Sequence, residues 1–488
     1  MAGDIEAALR ETVARLARDP RVRYAEVRFT DESVEAVRVH VGKQRSDGVS
    51  TTRSRGVGVR VLGAKTWGFA CTARTDAASI AEAAERAAAI AHASSALATR
   101  VAPFPEREAQ RGTWATRVAI DPFAISLGDR LAAIERPALA LLGGAVASAE
   151  AHVEFRRIEK RLLTTEGTDV SQTIVEGACN MQAIATGDAA PAMRTYPTWR
   201  GCDAFQGGWE GVTALALETH APRVRDEAIA LLAAPVCPEG VSDVILESSQ
   251  VALQIHESCG HPTELDRTMG TEITLAGGSF LDAEKLGSFR YGSEHVTITA
   301  GSTAVGGCGS FGWDDEGTPA GEHVLVDRGV LVDFLSSRET AAAIGRASTG
   351  TMRAQGWDRT PLIRMTNVSL AADPRGPTLE ELVADTKRGI YIATDRSWSI
   401  DDQRLDFQFS CELAWEIVNG KRTRLLRSPL YAGRTPAFWA SCDAVCAPSE
   451  HRLWGIASCG KGDPIQIVSV GHGASPARFR GVRVGSPT

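Results

Sequence analysis

The 488-residue chain has no run of about 18 apolar residues, so no membrane-spanning helix is expected. Its opening stretch, MAGDIEAALRETVARLARDP, spreads charges throughout and leads into no apolar core, so no secretory signal is expected there. The expectation is a cytoplasmic protein, whose ten cysteines are then mostly buried thiols rather than disulfides. An excess of basic charge is also missing. Lys and Arg number 53 against 60 Asp and Glu, for a net charge of −7, which argues against nucleic acid as a partner. There is no low-complexity tract and no internal repeat. GVGVR at 56–60 lacks the glycine fingerprint of a phosphate loop, and no nucleophile elbow supports a serine hydrolase.

What is present is the composition of a globular protein, 43% hydrophobic and 23% charged. The length exceeds one ordinary core, which points to two domains or three. Ile5, Leu9, Val13 and Leu16 recur at helical spacing and predict a helix over 4–18. Alternation in 24–30, 34–41, 56–63 and 66–72 predicts antiparallel strands, followed by an Ala-rich helix over 76–97 with Asp76 near its start. Residues 103–125 hold three prolines and read as a linker; a helix follows from 127, interrupted or kinked by Pro137. Strands are expected over 152–167 and 169–186, a loop over 195–209 and a helix over 210–233. APVCPEG at 234–240 breaks both periodicities and marks a boundary. Helical patterns are few after 260, chiefly 337–346 and 377–387. The expected fold class is α+β, with a sheet-and-helix N-terminal domain over 1–235 and a β-rich C-terminal domain over 236–488 that carries the metal site.

The most informative stretch is SSQVALQIHESCGHPTELD at 248–266. His256 and Glu257 are adjacent, and His261 lies five residues beyond His256. Zinc peptidases place two histidines four apart on one helix face, with Glu beside the first. At about 100° per residue, five steps separate the side chains by roughly 140°, so a regular helix cannot aim both at one ion. Gly260 permits a non-helical conformation and Pro262 disfavours the α region at His261, so the helix is expected to end near Gly260 and His261 to swing back. A π-bulge is the other solution.

A catalytic zinc site needs a third ligand, for which carboxylates and cysteines are candidates. Cys459, in GIASCGKGDP, stands among small residues, with Lys461 near enough to favour its thiolate; a buried structural thiol is the alternative. Glu264 and Asp266 are candidates to accept a hydrogen bond from a ligand imidazole. Asp314, Asp315 and Glu316 read as a capped turn rather than a second metal site, Cys442 and Cys446 as structural thiols, and His472 as a surface residue.

Several ordered motifs resemble the TldD/PmbA family of zinc metallopeptidases: RGVGVRVLGAKTWGFA at 55–70, HESCGH at 256–261, WDDEGTPAGEHVLVDRGVL at 313–331, IRMTNVSL at 363–370 and ASCGKGD at 457–463. The resemblance implies that His256, His261 and Cys459 hold Zn2+ and that Glu257 is the catalytic glutamate acting on water activated by the metal. It further implies unfolded or short extended peptides as substrates, and a dimer with a second copy or with a metal-free paralogue. The pattern departs at Cys259, where an apolar residue is expected; that thiol reads as a packing residue, an oxidation liability or an alternative ligand. Two other readings remain open: an amide hydrolase maturing a peptide natural product with the same metal and base, and a non-catalytic regulatory or binding subunit. Action on a DNA topoisomerase follows only from an old label of the family, and the acidic balance speaks against it.

Overall fold

The computed structural model describes residues 3–188, 190–198, 203–275 and 277–486. The helix Gly3–Ala17 and the helix Ala77–Leu97 pack Ile5, Leu9, Ile80 and Ala87 onto the apolar face of two strands, through Val27, Phe29, Val57 and Val59. Asp76 caps the second helix by accepting from the Ser79 amide at 3.0 Å. The alternating stretches at 24–30 and 34–41 form one strand, Tyr24–Val41, running antiparallel to Ser46–Leu62. The polar residues that interrupt the alternation stay in the ladder because Arg53 and Arg55 opposite pair with Asp31.

Three further expectations are adjusted. Within 103–125, Arg111–Ala115 is a strand parallel to the long strand Asp169–Ala185. The helix Leu127–Ala140 continues through Pro137, which falls in its last turn where only one ladder bond is lost. The helix expected over 210–233 is two helices, Trp209–Leu215 and Leu217–Ala233, broken at Ala216, whose φ is 47°. Residues 199–202 of the expected loop lie outside the described residues.

Among the described residues the strands form a fourteen-stranded sheet, a seven-stranded sheet and a two-stranded ribbon. The largest sheet draws on both halves of the chain. Ala204–Gln206 bridges Asp169–Ala185 to the hairpin of Arg452–Lys461 and Gln466–Ala474, beyond which lie Asn367–Leu370 and Ile298–Gly301. The seven-stranded sheet includes Gly240–Leu246, Arg388–Ile400, Asp406–Val418 and Ala477–Gly485. The fold is therefore α+β with a β-rich C-terminal portion. No described helix is long and apolar enough to cross a membrane.

The helix Ser248–Ile255 touches strands of both sheets, and all eight of its residues are buried. Val251, Leu253 and Ile255 join one apolar core with Leu246, Ile392 and Phe409 from one sheet and Val368, Ile456 and Val470 from the other. Its polar side chains are partnered inside: Gln250 donates to the Tyr431 hydroxyl at 2.8 Å and Gln254 to the Ser258 hydroxyl at 2.9 Å. The helix end that carries the histidines is thus buried between strands of the two sheets.

The acidic run at 314–316 is a buried turn. Asp314 accepts from the amides of Glu316, Thr318 and Met352, Lys160 donates to Asp315, and Arg60 donates to Glu316.

Candidate metal centre

The helix Ser248–Ile255 passes into a π-turn over His256–Gly260, in which the His261 amide donates to the His256 carbonyl. The wider turn brings side chains five apart onto one side. The two imidazole rings stand with centroids 4.8 Å apart and planes at 86°. The π-bulge, rather than a helix ending near Gly260, is therefore the solution adopted. Both Gly260 and His261 keep right-handed helical dihedrals (φ −65° and −58°), so the preference set by Pro262 is overridden by tertiary packing. Gly260 is needed for space: a Cβ there would lie 1.9 Å from Sδ of Met365, in the IRMTN segment.

Cys459 arrives from the strand Arg452–Lys461, and its Sγ lies 3.9 Å from Nε2 of His261. Ile456 and Cys459 line the same cavity although they are three residues apart. A regular strand would send them to opposite faces. Here residues 457–458 bulge out of register between the pairs Ile456–Val470 and Cys459–Val468, and the side chain is re-aimed.

One ligand atom from each of His256, His261 and Cys459 lies within 4.8 Å of the others. Tetrahedral zinc with ordinary bond lengths places its donors about 3.3–3.6 Å apart. The trio therefore fits such an ion after a contraction of about 1 Å. Its protonation also fits. Burial pushes His256 down to about 4 and His261 below the usual imidazole range, so both rings are neutral. Burial raises the Cys459 thiol, but the Arg364 guanidinium, with His261 adding to it only while protonated, outweighs burial and holds the thiol at about 7. Arg364 also donates to the Cys459 carbonyl. The cation expected to act on this thiol was Lys461; its ammonium instead bonds Asp266 and the Ile363 carbonyl, at 2.7 and 2.8 Å.

Partners of the two imidazoles fix their orientation. Nδ1 of His261 lies 3.2 Å from Oε2 of Glu264, which also accepts from Arg267 at 2.7 Å. Burial opposes the charge on Glu264, yet Lys461 and Arg267 hold its carboxyl well below the usual range. Asp266 stands one step further out, bound to Lys461 rather than to an imidazole. Nδ1 of His256 lies 2.8 Å from Nε2 of His472, whose own Nδ1 lies 2.7 Å from the Val368 carbonyl. The carbonyl can only accept, so His472 carries its proton on Nδ1 and accepts from His256 through Nε2. This leaves Nε2 of His256 as a free lone pair for a metal. His472 is thus fully buried, not a surface residue. Replacing it with phenylalanine, which keeps a ring but not the acceptor, is expected to lower zinc affinity by about 10–100-fold. Competition with a chromogenic chelator measures this, and unchanged affinity would remove His472 from the relay.

Glu257 lies beside the trio at the wall of a cavity of about 390 Å3, and Arg404 Nη1 donates to its Oε2 at 2.7 Å. Leu253, Leu275, Trp398, Ile400 and Ile456 supply the apolar lining. Cys259 is turned away into the apolar core, and burial pushes its thiol far above the usual range. Cys442 and Cys446 are buried thiols that do not line this cavity.

The family model for the PmbA/TldA metallopeptidase C-terminal domain matches residues 239–486, and the model for domain 1 matches residues 25–91. The chain belongs to the TldD/PmbA metallopeptidase family. Among its relatives, a metalloprotease of Methanothermobacter thermautotrophicus is 28% identical over 475 residues, covering 96% of each chain. A metalloprotease of Methanocaldococcus jannaschii is 34% identical over 264 residues, and the match spans 54% of either protein. Two solved structures share the fold. A Thermotoga maritima protein described as a candidate modulator of DNA gyrase superposes with a TM-score of 0.77 at 18% identity, over 98% of this chain and all of that one. TldE of Thermococcus kodakarensis gives 0.70 at 15% identity, over 98% and 100%.

Within the TldD/PmbA framework, sequence reasoning missed Arg404, Arg364 and Asp395 and misplaced His472. Asp395 lines the cavity because the strand Arg388–Ile400 is out of register between Asp395 and Ser397. Burial pushes its carboxyl up to about 7, against a hydrogen bond from Thr198 at 3.0 Å. No local pattern marks these four residues. His472 and Asp395 show only as polar side chains inside otherwise apolar strands, and Arg364 and Arg404 lie outside the strands altogether.

Proposed function

We propose that this chain is a zinc-dependent peptidase that hydrolyses backbone amide bonds in unfolded or short extended peptides. The observation that carries the reading is the convergence of two neutral imidazoles and an acidified thiol within 4.8 Å of one another, on a cavity wall shared with Glu257. His256, His261 and Cys459 would hold the ion, a set of three protein donors that leaves a position for water or substrate. When bound, zinc supplies the Lewis acidity that brings the pKa of a water into the neutral range. Glu257 gives one oxygen to Arg404 and has Oε1 left to accept the proton of an attacking water. The same carboxyl then returns the proton to the departing amine. His472 and Glu264 would hold the two imidazoles through Nδ1 and leave each Nε2 for the ion.

An extended substrate is supported by the strand Arg388–Ile400. It pairs with Gly240–Leu246 only through Ile390–Ile392, and further on, among the described residues, it has a ladder partner on one side alone. Trp398, Ser399 and Ile400 of that stretch line the cavity, where a peptide backbone can add as a strand. Recognition through main-chain bonds would give weak side-chain selectivity. The working unit proposed is a dimer, of this chain with itself or with a metal-free paralogue, as the resemblance to the family implies.

The test is purified protein loaded with zinc, assayed for cleavage of an unstructured peptide with fragments identified by mass spectrometry, beside light scattering of the same preparation. Stoichiometric zinc and amide cleavage that a chelator abolishes and zinc restores are expected. A zinc-loaded protein that cleaves no unstructured peptide would instead make the site structural.

A further inference from the structure

We propose that Arg404 is a positioning residue that holds Glu257 in its working orientation; the inference rests on the peptidase reading above. Glu257 is buried, and a buried carboxylate needs a partner. The partner comes not from a sequence neighbour but from 147 residues away, at the tip of the hairpin joining Arg388–Ile400 to Asp406–Val418. Arg404 Nη1 reaches Oε2 of Glu257 at 2.7 Å, and the side chain is 4% exposed where it lines the cavity.

The backbone that presents Arg404 is unusual. Its φ is 61°, in the left-handed region where a residue with a Cβ is disfavoured. The hairpin tip is tied down around it. The Arg404 amide donates to the Asp401 carbonyl at 2.9 Å, and the Leu405 amide to the Asp401 carboxylate at 2.7 Å. Thr435 donates through its hydroxyl to the Arg404 carbonyl at 2.9 Å and through its amide to the Leu405 carbonyl at 2.7 Å. The Phe280 amide donates to the Gln403 carbonyl at 2.8 Å. A tip fastened on three sides keeps an arginine where glycine would fit with less strain, and strain retained in this way accompanies function.

The purpose is geometric. A general base must hold its oxygen within about 3 Å of the proton it removes. Glu257 follows His256 on the π-turn, and its side chain would sample several rotamers if left alone. The guanidinium engages Oε2 and leaves Oε1 to take the proton. Arg404 acts through Glu257, so its loss should lower kcat and leave KM nearly unchanged.

Arg404→Gly removes the guanidinium and suits the left-handed backbone, so the variant is expected to fold; Arg404→Lys keeps a charge without the planar fork. Zinc stoichiometry, the melting temperature of the metal-free protein and steady-state kinetics are measured for both. R404G should keep zinc and melt within a few degrees of the wild type, with kcat lowered about 100-fold or more. Guanidinium ion at millimolar concentration should restore part of kcat in R404G but not in R404K. If R404G matches the wild-type kcat, or loses kcat together with zinc and melting temperature without rescue, the positioning role is overturned. Zinc-loaded wild type that cleaves no peptide overturns the peptidase reading and this role together, whereas failure confined to the variants overturns this role alone.

Discussion

Glu257→Gln should bind zinc as the wild type does and lose about 10²–10⁴-fold in kcat, the usual share of a general base. Glutamine keeps the volume of the side chain and an oxygen that can accept from Arg404, so the wall of the cavity should survive. What it lacks is the capacity to take a proton and return it to the departing amine. In the structure Glu257 does not belong to the proposed ligand trio, and its Oε2 is committed to Arg404 at 2.7 Å. Zinc content by atomic spectroscopy and cleavage of an unstructured peptide are read on the same preparation. Stoichiometric loss of zinc in the variant would make Glu257 a ligand, and the assignment of base and ligands would have to be exchanged.

The second large effect is expected at Cys459. Cys459→Ala leaves two imidazoles, which do not retain the ion through dialysis, so both metal and hydrolysis should be lost. Alkylation of the wild type tests the same ligand without a substitution. Cys459 and Cys259 are both buried, at 2% and 0% exposure, so access alone does not separate them. Their thiols differ. Arg364, working against burial and joined by His261 only while that ring is protonated, holds Cys459 at about 7, whereas burial drives Cys259 far up. In metal-free protein Cys459 should label and Cys259 should not; zinc should protect Cys459, and chelation should expose it again. Equal labelling of Cys459 with and without zinc, with protection at Cys259 instead, would transfer the third ligand to the cysteine between the histidines. Glu264 is the weaker substitute, since its Oε2 already serves His261 and Arg267.

Most of the secondary structure was legible because it follows from periodicity. The helix over 4–18, the Ala-rich helix after Asp76 and the long strands around 152–186 all appear near their expected places. Errors arose where a local signal met a tertiary partner. Asp31 interrupts an apolar alternation that Arg53 and Arg55 opposite make tolerable. Pro262 argues against an α conformation at His261, which the packing of Gly260 on Met365 and the hydrogen bonds of the π-turn impose regardless.

The amino-acid sequence by itself determined the chemistry available: a Glu between helix-spaced histidines with one residue too many for a regular helix, a cysteine among small residues, an acidic balance and no long apolar span. These are properties of residue type and short-range spacing, which periodic local structure translates directly. The tertiary structure alone decided which groups meet. Cys459 joins His261 across 198 residues, His472 joins His256 across 216, and Arg404 joins Glu257 across 147. Those meetings depend on strand order, on bulges that reverse which face a side chain takes, and on a hairpin tip held in a left-handed conformation. None leaves a trace in local periodicity, because strand pairing sets the distance between elements and a bulge of one or two residues resets the face of the residues that follow it.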